Sequence, residues 1–264
     1  MTTIHIHRAG PQLPVITTFG RVPKMVQGLV RDVRLRWALE EAGQPYVVNL
    51  IGAADQNTPQ HRALQPFGQV PAYQHGALTL FESGAIVHHI ACGSPALMPD
   101  DDAGRSRTLA WTFAALNSVE PAVGALWEHD HFGGGEAQAE RRAALLERVQ
   151  ARLDALQAEL TDRDYLLSRF TAADILMATV LRSLGSSDVL ANYPVLQAYL
   201  ERCNARPAAR KALADHVAVF APREEAKEPM DQHLTLAQAS ERIEALQKKT
   251  GRGQVEDDAN RGAP

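Results

Sequence analysis

Cysteine is scarce in this sequence: Cys92 and Cys203 are the two thiols in 264 residues. They form no CxxC pair, and two thiols are too few for a disulfide framework, which points to a reducing compartment. Long apolar runs are missing too. None approaches the roughly 18 residues that a membrane-spanning helix needs. The opening stretch MTTIHIHRAG has no apolar core of signal-peptide length, so export is not expected and the cytoplasm is the expected address. There is no basic surplus: 27 Lys and Arg against 31 Asp and Glu give a net charge of −4. That argues against a nucleic-acid binder whose affinity rests on a positive surface. His5, His7, His88, His89, His129 and His131 fall at no metal-ligand spacing with a partner set, so a solvated surface is expected for them, and no metal. Gly133-Gly134-Gly135 lacks the lysine and spacing of a phosphate loop.

What remains is an ordinary soluble composition, 45% apolar and 22% charged, long enough for two modest domains. The β-branched run at 15–19 reads as a strand. Gly20, Pro23 and Gly28 then break the pattern. Val30, Val33, Leu35, Trp37, Ala38 and Leu39 follow helical spacing over 29–42, with Gly43 placed as a C-cap. A second strand follows at 46–50, and strand–helix–strand favours parallel pairing with a right-handed crossover. A polar stretch at 52–60 leads to a short helix at 61–64 and a turn at Pro66-Phe67-Gly68. Extended segments at 70–73 and 78–81 flank His75-Gly76 at hairpin distance, and 83–91 reads as a helix. Pro95, Pro99 and the acidic run Asp100-Asp101-Asp102 look like a linker. Helical patterns then recur at 109–119, 137–160, 171–184, 194–204 and 208–219. The expected layout is an extension at 1–14, an α/β domain at 15–94, a linker at 95–104, an all-helical domain at 105–222 and a polar tail at 223–264. In the tail, 236–248 is expected as a solvated helix and 250–264 as disordered.

Two places carry chemistry. Pro71 sits in an extended segment, where proline removes a ladder donor and so belongs at an edge or an irregular site. A cis bond before it would turn the backbone N–H and C=O of Val70 outward, ready to pair with an extended peptide ligand. A trans proline at a strand start is the alternative. In Phe81-Glu82-Ser83-Gly84 a strand runs directly into a helix. Ser83 would then sit at a helix N-terminus with free N–H groups, suited to a ligand carboxylate, with Glu82 beside it for an ammonium. Simple N-capping by Ser83 is the alternative.

The stretch from Leu64 through Gln65, Pro66, Phe67, Gly68, Gln69, Val70 and Pro71 to Ala72, followed by Leu80-Phe81-Glu82-Ser83, resembles the glutathione-binding half of cytosolic glutathione transferases. The resemblance implies a thioredoxin-like N-terminal domain of order β-α-β-α-β-β-α, an all-α C-terminal domain and a cis bond before Pro71. It implies that Val70 pairs with the cysteinyl backbone of glutathione, that Glu82 and Ser83 hold its γ-glutamyl head, and that Gln69 and Pro71 belong to the same glutathione-binding set. Phe170-Thr171-Ala172-Ala173-Asp174-Ile175 resembles the family's capping motif. Its physics is readable directly: Thr171 as N-cap, Asp174 three residues on, Phe170 and Ile175 as staple. Tyr193-Pro194 and Arg206-Pro207 extend the resemblance, which spans about 15–219.

The implied activity is conjugation of the glutathione thiolate to a small hydrophobic electrophile by a cytoplasmic homodimer. A family-like binding or regulatory protein with little catalysis, or a glutathione-dependent isomerase or dehalogenase, is the alternative. Family members activate the thiol with a Tyr, Ser or Cys just after the first strand, whereas residues 20–28 contain none. Counting back from Leu39 to Gly43 puts that position near Arg31-Asp32. Arg31 would stabilise a thiolate electrostatically, or else be a solvated charge paired with Asp32 or a domain-interface residue. Thr18 offers a hydroxyl, unless it points into the core. Trp111, Phe113 and Trp127 are the expected walls of the electrophile pocket.

Overall fold

The structure, a computed structural model, describes residues 13–133, 138–185 and 187–221. The expected helix at 236–248, the expected disorder at 250–264, and His5 and His7 lie outside these residues. Four strands form one sheet in the order β2-β1-β3-β4. β1 (Val15–Phe19) and β2 (Val47–Ile51) are parallel, with Val15 opposite Val47 and Phe19 opposite Ile51. β3 (Ala72–His75) runs antiparallel to β1, and β4 (Leu78–Phe81) antiparallel to β3. Gly76, at φ +59°, makes the tight turn between β3 and β4.

The parallel pair requires a crossover, supplied by α1 (Asp32–Glu41). This helix begins three residues later than its apolar spacing suggests. Gly28 stands at φ +85°, and Val33 and Arg34 donate to Val30 and Arg31 in tight i−3 bonds, so the regular pattern starts only at Asp32. Its other end follows the sequence. Gly43 adopts φ +63° and donates to Glu40, while Gln44 donates to Leu39 at 2.9 Å, a Schellman closure. α2 (Pro59–Leu64) starts two residues before the expected 61, because Thr58 Oγ1 accepts from His61 N and Pro59 fits the first turn. α3 (Ser83–Cys92) follows β4.

The acidic run read as linker is a helix start. Asp101 Oδ1 accepts from Gly104 N at 2.7 Å and caps α4 (Asp102–Phe113). A π-helical turn, Ala114–Val119, carries α4 into α5 (Glu120–Phe132), an element that the periodicity did not isolate. α6 (Gln138–Leu160), α7 (Ala172–Arg182), α8 (Pro194–Asn204) and α9 (Pro207–Ala218) complete the helical half. α7 is buried on nearly every side and packs on α1, α3, α4 and α8.

The expected cap of α7 is present. Thr171 donates from its backbone N and its Oγ1 to Asp174 Oδ2 at 2.8 and 3.1 Å, while Leu166 N and Tyr199 Oη donate to Oδ1 at 3.0 Å each. Burial pushes the Asp174 carboxyl above its ordinary value, and these four donors oppose the rise. Phe170 and Ile175 are both buried at the staple positions. No helix of the described residues is long and apolar enough to cross a membrane.

Candidate active site

A cleft of about 1150 Å³ opens between the α/β half and the helical half. Gln69, Val70, Glu82 and Ser83 line one side, and Phe113, Leu116, Glu120 and Trp127 the other. Each approach to the first side is fixed locally. The Val70–Pro71 bond is cis, with Pro71 buried and Val70 facing the cleft. The turn before it is held by side chains that the sequence did not single out. Gln65 Oε1 accepts from the backbone of Phe67 and Gln69, Gln56 Nε2 donates to Gly68 O at 3.0 Å, and His61 Nε2 donates to Gln69 O at 2.8 Å. Gly68 is required there: it sits at φ +66°, and a Cβ would lie 2.9 Å from Gln56 O.

Ser83 is the first residue of α3 rather than its cap. Glu82 occupies the cap position at φ +65°, ψ 113°, a conformation rare for a side-chain-bearing residue. The first N–H groups of α3 have no intrahelical acceptor, and Ser83, Gly84 and Ala85, which carry them, line the cleft. Ser83 is 5% exposed, and its Oγ accepts from Arg34 Nη1 at 3.1 Å. Its own O–H proton is therefore left to donate to a ligand.

Arg34 is the residue that sequence reasoning missed. It is buried on α1, and its guanidinium bridges three elements: Nη1 to Ser83 of α3, both Nη atoms to Glu120 of α5 at 3.0 and 3.2 Å, and Nε to Thr179 Oγ1 of α7 at 3.0 Å. The hint in the sequence was an arginine set between the apolar positions Val33 and Leu35 of the helix pattern. Such a charge requires a buried partner. Burial pulls the Arg34 guanidinium below its ordinary value, against the attraction of Glu120. It starts high enough to stay cationic at neutral pH. Burial alone would raise Glu120, but Arg34 and then Arg31 outweigh it and hold the carboxyl below its ordinary value.

Arg31 reaches the cleft as a domain-interface residue. It donates through Nε and Nη2 to Glu120 Oε1 at 3.0 and 2.9 Å, with its side chain half exposed. Asp32 is not its partner. That carboxylate is fully buried, accepts from Arg36 Nε at 2.8 Å and faces His216 Nδ1 of α9 at 3.2 Å. Arg31, Arg34 and Glu120 together carry one net positive charge beside Ser83.

Three expectations are corrected. Thr18 is 2% exposed on β1, its Oγ1 has no partner among the described residues, and it does not line the cleft. Trp111 lines a different groove, with Met98, Pro99 and Leu167, while Phe113 lines the cleft. Residues two apart on a helix cannot share a face. His129 is buried rather than solvated, and His131 stacks on Trp127 with centroids 4.2 Å apart. Trp127 lines the cleft, and so do Leu29, Val30 and Arg31 at the approach to α1.

Residues 11–92 match the family model "Glutathione S-transferase, N-terminal domain", and residues 96–207 match "Glutathione S-transferase, C-terminal domain". Residues 222–252 match "Protein of unknown function (DUF3072)". Glutathione S-transferase 1 of Zea mays is 30% identical over 192 residues, 69% of this chain and 90% of the relative. A probable glutathione S-transferase of Oryza sativa subsp. japonica is 32% identical over 188 residues, 66% and 86% of the two chains. A glutathione transferase of Burkholderia graminis, solved with two glutathione molecules bound per subunit, superposes with TM-score 0.66 at 25% identity, covering 81% of this chain and 90% of that one. A glutathione S-transferase-I bound with lactoylglutathione gives TM-score 0.66 at 26% identity, covering 80% and 100%. With both halves of the fold and the cleft between them accounted for, this chain belongs to the glutathione S-transferase family.

Proposed function

We propose that the chain is a glutathione transferase that joins the glutathione thiolate to a small hydrophobic electrophile. One observation carries this reading. Gln69, Val70, Glu82 and Ser83 line one side of the cleft, the Arg31–Glu120–Arg34 cluster spans it beside Ser83, and Phe113, Leu116 and Trp127 give the facing side an apolar stretch. The γ-glutamyl carboxylate would take the Ser83 hydroxyl and the α3 N–H groups, and its ammonium the Glu82 carboxylate. The cysteinyl backbone would pair with Val70 ahead of Pro71, with Gln69 alongside.

The sulfur would then face the first turn of α1. A free thiol has a pKa near 8.5, and lowering it by two units takes about 2.7 kcal/mol. A cation about 4 Å away at an effective dielectric of about 20 supplies about 4 kcal/mol. Arg31 is the half-exposed member of a cluster with net charge +1, and Glu120 neutralises only one of its two cations. The thiol proton passes to solvent. The thiolate sulfur forms a bond to the electrophilic carbon, and the leaving group departs with its electron pair. Phe113, Leu116 and Trp127 would hold the electrophile.

We assign the protein to the cytoplasm as a homodimer. The exposed aromatic pair Phe67 and Phe81, in edge contact with centroids 6.1 Å apart, supplies an apolar patch for a second copy. The test is glutathione-dependent thermal stabilisation together with glutathione-dependent consumption of an aryl halide. Absence of both sinks the reading, and binding without turnover over a broad electrophile panel replaces it with a binding protein.

A further inference from the structure

Gly124 sits inside α5, where glycine is the poorest helix former apart from proline. Nothing in its packing requires it. A Cβ at Gly84 would run into Leu116, and one at Gly104 into Pro99, but a Cβ at Gly124 meets nothing within 4 Å. Nor does Gly124 have the positive φ that sets Gly28, Gly68 and Gly76 apart. It does line the cleft. Glu120 and Pro121 lie one turn before it and Trp127 and Glu128 one turn after, all on the same wall. The side chain missing at Gly124 is therefore missing from the cleft, and backbone is bared where every neighbour presents a side chain.

The surroundings say what the space suits. Phe113 and Leu116 face it from the α4 side. The Trp127 ring is held against His131, stacked at 4.2 Å, and His131 Nδ1 donates to Trp127 O at 2.8 Å. Glu128 adds an exposed carboxylate to the same wall, which disfavours an anionic substituent.

We propose that Gly124 is a specificity-determining position: its missing side chain opens the α5 wall to a flat, uncharged aromatic group of the second substrate, bounded by Phe113 and Trp127. This rests on the transferase reading. Short aliphatic electrophiles do not need the space.

The experiment compares wild type with Gly124→Ala and Gly124→Leu. Three readouts are used: kcat/KM for a bicyclic aromatic electrophile and for a short alkyl halide; binding of the neutral fluorophore N-phenyl-1-naphthylamine without glutathione; and binding of S-methylglutathione. Gly124→Leu is expected to lower kcat/KM for the aromatic substrate and fluorophore affinity by about tenfold or more, the size of a steric exclusion in an apolar pocket. The alkyl substrate and S-methylglutathione should be unaffected, and Gly124→Ala should give a smaller loss in the same order. Equal loss for both substrates, or none for fluorophore and aromatic substrate, overturns the inference. If S-methylglutathione fails to bind wild type while the fluorophore loss appears, the transferase reading falls and the opening at Gly124 stands.

Discussion

Arg34 of α1 donates through Nη1 to Ser83 Oγ at 3.1 Å, so the first residue of α3 is held by a buried cation that also grips Glu120 across the cleft. One guanidinium thus ties the Ser83 end of the cleft to α5 and α7 of the helical half. Replacing Arg34 by Ala would leave Ser83, Thr179 and part of the Glu120 carboxylate without their donor. Unfolding by urea should show a loss of about 3 kcal/mol, the cost of breaking a buried pair. Arg34→Lys should recover little of it, because an ammonium cannot serve three acceptors in a fork. A near-neutral Arg34→Ala would contradict the bridging role.

Glu120 is the acidic partner in that bridge, and its carboxyl is held below its ordinary 4.5. The folded state therefore binds fewer protons than the unfolded state as the pH drops below that value. Stability from Glu120 is full above about pH 4.5 and falls as the pH passes down through the depressed folded value. Asp130, held down chiefly by its hydrogen bond to Arg142, contributes in the same acid range. Glu120→Gln should flatten the fall in stability between pH 5 and pH 3 and leave the Asp130 part; an unchanged slope would show that the pair is not formed in solution.

Asp174 takes four donors inside the helical core. Asp174→Ala removes a cap and strands Tyr199 Oη, Leu166 N and both Thr171 donors. A loss of at least about 3 kcal/mol is expected in denaturant unfolding, combining about 1 for the cap with about 1–3 for each buried group left unpaired. Tyr199→Phe, which deletes one donor, should cost about 1 kcal/mol. Comparable losses in the two variants would contradict the shared network.

Arg31 is half exposed, so its removal should change stability by less than about 0.5 kcal/mol. Its proposed effect is on the bound thiol. Thiolate absorbance in the ultraviolet, titrated in the glutathione complex, should show the thiol pKa rising by about 1–2 units in Arg31→Ala. An unmoved value removes Arg31 from the chemistry.

Phe67 and Phe81 offer the apolar patch assigned to the dimer contact. Phe67→Asp should shift sedimentation from dimer to monomer at micromolar protein. If wild type itself sediments as a monomer, the dimer assignment fails.

What the sequence made legible was local. Strand β1, the Gly43 closure, the β3–β4 hairpin and the Thr171 cap each rest on residues close together in the chain, and each appears in the structure. The cleft face with Gln69, Val70, Glu82 and Ser83 was legible because two short motifs, at 64–72 and 80–83, carry it and only a hairpin separates them. The Arg34–Glu120 bridge was not, since its partners stand 86 residues apart and charge pattern alone does not pair them. α5 was hidden because Pro121, Gly124, His129 and His131 dilute its apolar spacing. Trp111 was misplaced for want of helical phase, and Asp101 because an acidic run before a helix and a solvated linker read alike.

The central claim, that this cleft binds glutathione with its γ-glutamyl carboxylate on Ser83, is tested most directly by calorimetric titration of glutathione into wild type and Ser83→Ala. Saturable one-site binding to wild type is expected, weakened by about tenfold or more in Ser83→Ala through loss of a charge-assisted hydrogen bond. Equal affinity in both proteins, or no heat of binding to wild type at millimolar glutathione, would contradict it.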